Sequence, residues 1–354
     1  MPASPTVVKS FQMLSILIVN YRTWDSIERN LAGLYTACGR ARHEPLPWEI
    51  VVADNHSEDG LLAAFQKKFP AVRVLLSEGN FGYAHGCNQA ARAAQGEWLL
   101  FMNPDVEATP EDIERLWRYQ QAHPEWRILS APQSNGRGQW QRAFGSFTGW
   151  ATYFPLGRAL LRGLRPERYP DPRQAPEHFP EVFPVDWVAG SLVLMTKADW
   201  RTLGGWDEDY WMYCEDEDLC RCARKSGWRV GFYSGASFKH VHAASSRLNE
   251  AITIATKSEA IFSKHLYLLK HEPNRGGRSL RAWIRTASCA KNIFFTALDA
   301  GTFRRVRALR LRHGIYSRLA RLFKNGSGGE VAVSDRSRSF AEKSTGQPRR
   351  NWAG

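Results

Sequence analysis

An α/β fold with a largely parallel sheet is what this sequence predicts, and three observations predict it. Short apolar runs recur through the first hundred residues, segments of helical period lie between them, and a polar cluster follows each run directly. Strand and helix in alternation mean βαβ units with right-handed crossovers.

The first run, Leu14 to Val19 (LSILIV), is apolar throughout, as a strand covered on both faces must be. Asp25 to Ala37 follows with helical spacing, then Trp48 to Ala53 (WEIVVA) as the second strand and Glu58 to Phe69 as the second helix. Val72 to Leu76 (VRVLL) is the third strand, Gly86 to Ala94 the third helix, and Glu97 to Met102 (EWLLFM) the fourth strand. Thr109-Pro110-Glu111-Asp112 reads as an N-cap with proline in the first helical position. Seven prolines between Pro155 and Pro184 interrupt any regular element, so that stretch is expected to be a long surface excursion. Regularity is expected again at Val185 to Lys197, in a helix from Glu215 to Ser226, and in short strands around Val230 to Phe232 and Ser237 to His240. From Glu250 the pattern is helical: Trp283, Ile284, Ala287, Ala290, Ile293, Phe294 and Leu298 form one stripe. Phe303, Val306, Leu309, Leu319 and Leu322 form a second, broken near Gly314. Beyond Lys324 few large apolar residues remain, and residues 324–354 are expected to be a disordered tail, as 1–12 are a flexible N-terminus. The expected division is therefore 13–270 for the main domain and 271–323 for a basic helical extension.

Charge is unevenly placed. Residues 1–261 hold 28 Lys/Arg against 30 Asp/Glu, net −2; residues 262–354 hold 20 against 5, net +15, and together they give the +13 of the whole chain. A basic end of this kind can meet nucleic acid, an anionic membrane or an acidic partner. Nucleic acid ranks last, because no recognition module is present. No apolar run approaches the roughly 18–20 residues that span a bilayer, and Met1 to Gln12 lacks the apolar stretch of a secretory signal. The six scattered cysteines show no zinc spacing, and a cytoplasmic location is expected.

Ligands of open α/β sheets bind at the carboxyl ends of the strands. The residues expected there are Asn20 and Tyr21, then Asp54-Asn55-His56-Ser57, then Asn80 with Gly82, Gly86 and Asn88, then Asn103-Pro104-Asp105. Asp54 can accept the N3–H of a pyrimidine base or cap the next helix. The two glycines allow a close backbone approach, and a helix beginning near Gly86 offers N–H groups to a phosphate. Asp105 can hold a hard cation bridging a diphosphate, or make a Pro-Asp turn. Glu215-Asp216-Glu217-Asp218 opens a helix with more acids than capping needs; mutual repulsion raises a pKa and improves a base. Asp218 can pair with Arg221 one turn on. His240 or His242 gains a ligand role if it reaches Asp105. Trp187, Trp206 and Trp211 flank Gly190-Ser191 and the acids, and an indole there can stack on a sugar.

In order along the chain, these motifs resemble the inverting glycosyltransferases of family 2, and especially their rhamnosyltransferase-like branch, over roughly Leu14 to Leu269. The resemblance rests on Ile18-Val19-Asn20-Tyr21, Val52 to Ser57, the Asn80 to Asn88 loop, Asn103-Pro104-Asp105, Gly190-Ser191, Gly204 to Glu208, Glu215 to Leu219, and His240 with Ser245. It implies a GT-A fold, a Rossmann-like mixed sheet flanked by helices. It implies a nucleotide-diphosphate sugar donor, by preference dTDP-rhamnose, and a polysaccharide or lipid-linked glycan acceptor. Asn20, Tyr21, Asp54, Asn55, Ser57, Asn80, Gly82, Gly86, Asn88 and Asn103 would hold the nucleotide; Trp187, Gly190, Ser191, Trp206, Trp211 and Glu215 the sugar and acceptor. Asp216 would be the general base, with Asp105 and His240 on a divalent cation, Mg²⁺ or Mn²⁺. The departure is Asn103, which stands in the first acidic position of the family's Asp-x-Asp motif. A UDP-hexose transferase and a non-catalytic glycan-binding protein are the rival readings. A dinucleotide-binding oxidoreductase is disfavoured because no GxGxxG turn follows the first strand. For the basic extension two readings stand: peripheral contact with the cytoplasmic face of an anionic inner membrane, or packing on the main domain with solvated arginines.

Overall fold

The computed structural model describes residues 13–44, 46–166, 170–171, 174–241, 250–302 and 305–325. His242, Ser245, Phe303, the N-terminal twelve residues and everything from 326 onward lie outside the described residues.

β1 (Leu14–Asn20), α1 (Trp24–Ala37), β2 (Glu49–Asp54), α2 (Leu62–Lys68), β3 (Arg73–Leu76), α3 (Tyr83–Ala93) and β4 (Trp98–Met102) alternate as expected. The four strands are parallel, in the order β3-β2-β1-β4. Every residue of β1 and β4 is buried, which explains their unbroken apolar runs. Ile16, Ile18 and Val52 point into one core cluster, and Leu17, Val51 and Ala53 into the other, so the pleat sends successive side chains to opposite faces. Each of the larger of these side chains, Ile, Leu and Val, contributes about 1.5–3 kcal/mol on burial.

The chain continues through β5 (Val106–Glu107), α4 (Pro110–Ala122), β6 (Trp126–Ser130), β7 (Gln133–Ser134), β8 (Phe144–Gly145), α5 (Trp150–Tyr153) and α6 (Pro155–Leu164). Thr109 caps α4 as its sequence predicts, its hydroxyl accepting from the Asp112 N–H. Then come β9 (Val182–Pro184), β10 (Trp187–Val188), β11 (Leu192–Thr196), α7 (Lys197–Thr202), α8 (Glu215–Lys225), β12 (Arg229–Tyr233) and β13 (Phe238–His240). β11 runs antiparallel against β4 and carries the sheet on through β6, β12 and β9, making eight strands in all. A small sheet, β5-β13-β7, sits beyond the end of β4.

The proline-rich stretch is more regular than expected. Pro155 occupies the first turn of α6, where its missing N–H costs nothing, and Pro184 ends an edge strand, β9. Prolines in those places punctuate elements without abolishing them.

Three helices complete the chain: α9 (Glu250–His271), α10 (Arg275–Gly301) and α11 (Arg307–Asn325). α11 does not break at Gly314; a Cβ there would lie 2.5 Å from Cδ1 of Ile254, so the glycine lets α11 approach α9. Phe262, Leu266, Leu280, Ile284, Leu319 and Leu322 form a third core cluster, joined by Tyr210 and Cys214 of the main domain. Of the two apolar stripes, Ile284, Leu319 and Leu322 are thus spent on packing, whereas Trp283, Ile293, Phe294, Leu298 and Val306 stay exposed. No helix among the described residues is long and apolar enough to cross a membrane.

Candidate active site

The sheet delivers Asn20 and Asp54 side by side at the ends of β1 and β2, where they are register partners. Both are buried. Asn20 Nδ2 donates to Asp54 Oδ1 at 2.7 Å, and the Ser57 hydroxyl and N–H donate to the two oxygens of the same carboxylate. Ser57 Oγ in turn accepts from the Arg22 N–H at 2.8 Å. Asp54 therefore has three donors fixed before any ligand arrives and can accept about one more hydrogen bond. The buried Asn55 donates to the Gly82 carbonyl at 2.8 Å, while its own Oδ1 has no protein partner. Tyr21 lies beneath Arg22, its ring centroid 5.5 Å from the guanidinium.

Asp105 and His240 meet. β13 pairs with β5 and brings His240 Nε2 to 3.2 Å from Asp105 Oδ1, both side chains about a tenth exposed. Cis ligands of an octahedral cation bound at about 2.1 Å stand about 3 Å apart, so this oxygen–nitrogen pair fits a divalent ion that leaves other positions to phosphate and water. The opposite ring atom, His240 Nδ1, lies 2.9 Å from Oε1 of Gln133, which also accepts from the Ser191 hydroxyl at 2.8 Å. Gly190, next to Ser191, donates its N–H to Asp216 Oδ2 at 3.0 Å, and the Asn103 N–H donates to the Ser191 carbonyl. One hydrogen-bonded circuit thus runs from Asp216 through Gly190-Ser191 and Gln133 to His240 and Asp105.

Asp216 lies in the first turn of α8, where its Oδ1 also accepts from the Glu217 N–H at 2.8 Å. Burial pushes its carboxyl above the ordinary aspartate value, against the pull of those two N–H groups. Burial pushes Glu215 further up, helped by the charge of Asp216, and Glu215 Oε2 has no hydrogen-bond partner. The backbone here is strained as well. Arg22, His56, Glu58, Tyr213 and Cys214 are the non-glycine residues at positive φ among the described residues, and they follow β1, follow β2 or precede α8. Such conformations cost of order 1–3 kcal/mol each and gather at functional sites.

Residues 15–171 match the family described as Glycosyl transferase family 2. The chain carries a family 2 glycosyltransferase domain. The sheet is mixed, four parallel strands continued by antiparallel β11 and flanked by helices, as the resemblance implied. The chain is 28% identical over 267 residues to the N-acetylglucosaminyl-diphospho-decaprenol L-rhamnosyltransferase of Mycobacterium tuberculosis, covering 71% of this chain and 83% of that one. It is 26% identical over 243 residues to the rhamnosyltransferase WbbL of Escherichia coli, covering 66% and 84%. Among solved structures, the mannosyltransferase PcManGT from Pyrobaculum calidifontis, in complex with GDP-Man and Mn²⁺, aligns over 91% of this chain and 89% of its own at 17% identity, with a TM-score of 0.45.

Several residues expected to touch substrate in this glycosyltransferase hold the protein to itself. α3 begins at Tyr83, not Gly86. A Cβ on Gly82 would fall 2.1 Å from the Trp211 carbonyl, and one on Gly86 2.6 Å from Val19, so both glycines make room for protein atoms. Asn88 is buried and committed to the loop before α8, donating to the Trp206 carbonyl and Glu208 and accepting from the Trp206 N–H. Asn80 holds that loop too, its carbonyl accepting from the Trp211 indole at 3.2 Å. Trp206 and Trp211 are 1% and 4% exposed, leaving no face for a sugar; Trp206 stands edge-on to Phe101 and Tyr83. Trp187 is half-buried under Arg142, with its indole N–H on the Ser146 carbonyl. Asp218 pairs with His271 at 2.6 Å, and Arg221 instead with Glu272 at 2.7 Å. Two residues went unforeseen: Gln133, in a two-residue strand without periodicity, and Tyr83, whose hydroxyl donates to the Gly190 carbonyl at 2.6 Å. Nothing in a single sequence marks either.

Proposed function

We propose that this glycosyltransferase moves L-rhamnose from dTDP-rhamnose to a hydroxyl of a lipid-linked glycan, inverting the anomeric centre, with Asp216 as general base. The observation that carries the reading is the circuit from Asp216 to the Asp105–His240 pair, which ties a carboxylate of raised pKa to a cation-sized pair of ligands. Rhamnose and the lipid-linked acceptor are supported by the names of the two relatives.

Asp216 would take the acceptor proton on the carboxylate that Gly190 orients, and its raised pKa makes it a stronger base than an exposed aspartate. Glu215 Oε2 would receive a hydrogen bond from the acceptor or the sugar. Asp54 would accept from the base, and Asn55 Oδ1, buried and unpartnered, would take a nucleotide donor. A divalent cation held by Asp105 and His240 would neutralise charge developing on the departing diphosphate. Asn103 contributes no charge there, so the phosphates must supply more of the ligation.

Ligand-dependent thermal stabilisation by dTDP, UDP and GDP, each with and without Mg²⁺ or Mn²⁺, tests the donor. Metal-dependent preference for dTDP is expected; preference for UDP would replace the donor, and no binding by folded protein would reject the reading.

A further inference from the structure

We propose that α6 docks the protein on an anionic membrane surface by seating Leu156, Leu160 and Leu164 among the lipid headgroups. The three leucines stand four residues apart on one face of the helix and are 72%, 57% and 78% exposed. A surface helix normally turns such a stripe inward, yet no residue of α6 is buried. Arg158, Arg162 and Arg165 project from the side of the helix opposite the leucines, Arg158 donating to the Thr152 and Tyr153 carbonyls, and residues 155–166 contain no acid. Arg162 shares its charge with Asp171 at 3.1 Å.

The surroundings extend the same chemistry. The Phe154 ring lies 5.0 Å from that of Trp283 on α10, and the Trp150 indole donates to Ser279 at 2.9 Å. Trp150 and Trp283 are 42% and 40% exposed. Residues 275–285 of α10 carry Arg275, Arg278, Arg281 and Arg285 and no acid. Leucines on one face, arginines along α10 and indoles at the margin are what a headgroup layer of anionic lipid receives, each basic group near the surface adding attraction. The face is also fastened to the site: Thr148, just ahead of α5, donates from its N–H and hydroxyl to Glu217, the neighbour of Asp216. The purpose of docking rests on the proposed lipid-linked acceptor, because a base near the membrane surface meets such an acceptor; the docking chemistry does not.

The test is co-sedimentation of the full chain with vesicles of phosphatidylcholine, alone or in equal parts with phosphatidylglycerol, with no donor, acceptor or metal present. The chain should partition onto the anionic vesicles, and Leu156→Ser/Leu160→Ser/Leu164→Ser should weaken partition about 10- to 100-fold at an unchanged melting temperature. Wild-type partition by the triple variant would overturn the proposal and leave binding to the basic residues alone. Indifference of the wild type to anionic vesicles would overturn it too, as would self-association relieved by the triple variant, which would give the face to a second copy. Because the vesicles carry no acceptor, a failure here leaves the transfer reading standing, and a failure of nucleotide binding leaves docking standing.

Discussion

On the side of α8 that faces the C-terminal helices, Glu217 bonds Lys264 at 2.6 Å and Asp218 bonds His271 at 2.6 Å, while Asp207 takes Lys270 at 2.6 Å. On the side that faces the sheet, Glu215, Asp216 and Asp54 make no ion pair among the described residues. Asp54 and Asp216 are held by backbone N–H groups, Asn20 and Ser57, and one Glu215 oxygen is held by nothing. The two regions meet within four consecutive acids. The difference teaches that the paired carboxylates act as fasteners, whereas the unpaired ones keep lone pairs for a ligand. Burial raises the pKa of Asp216 and Glu215, and the more distant charge of Lys264 pulls both down without cancelling that rise.

Removing the base should break the rim without touching the fasteners. Asp216→Asn is expected to lower transfer about 10³-fold, within the range for a positioned base, while nucleotide-induced stabilisation and melting temperature stay near wild type. Single-turnover kinetics alongside thermal shift separates the two, and normal turnover would remove Asp216 from the mechanism. His271→Ala should do the converse. It leaves the fully buried Asp218 carboxylate without its main donor, which costs about 3–5 kcal/mol, measured as a lower midpoint in urea. A neutral result would mean that Asp218 is not a fastener.

The same division decides what the sequence could reveal. β1, β2 and β4 were legible because short apolar runs bounded by polar and turn residues favour buried strands, and the loops at their ends followed from topology. That Asp105 and His240 meet was legible because both were placed at strand ends on one rim, and Asp216 stood out because four acids are more than a helix start needs. Trp206, Trp211 and Asn88 misled for the opposite reason: an indole or amide serves equally well in a packed loop, and only coordinates show which. Gln133 left no trace, since a glutamine joining two site residues depends on β7 and β13 lying side by side, a long-range pairing that local spacing does not encode. α6 was hidden because its prolines sit where a helix tolerates them.

Glu215→Gln sharpens the comparison through stability. The folded-state pKa of Glu215 lies well above the unfolded value of about 4.3. Its contribution is therefore fully present below that value and lost as pH rises through the folded pKa, where a buried charge must form. At neutral pH the wild type bears that cost and the amide does not. The variant should melt about 2 °C or more above wild type at neutral pH, with the gap closing as pH falls toward 4, and should transfer sugar more slowly. A variant less stable at neutral pH would mean that the free oxygen is paired after all.

The smallest effect comes from His265 on the helix side, and its sign is opposite. Burial, then the charges of Arg281 and Arg285, lower its pKa to about 4, and its ring stands 5.0 Å from that of Phe323 on α11. Between about 6.5 and 4 the unfolded chain binds a proton there that the folded chain refuses, so stability falls as pH drops through that window. The raised carboxylates at the rim respond the other way, because acid relieves them of a buried charge. Hydrogen exchange followed by mass spectrometry at pH-corrected times should therefore show α10 and α11 losing protection on acidification before the first turn of α8 does. His265→Gln should flatten the response of the helices alone. Uniform loosening of both regions, or a variant as acid-sensitive as wild type, would mean that α9–α11 and the rim unfold as one unit and that the division at α8 is one of function without being one of stability.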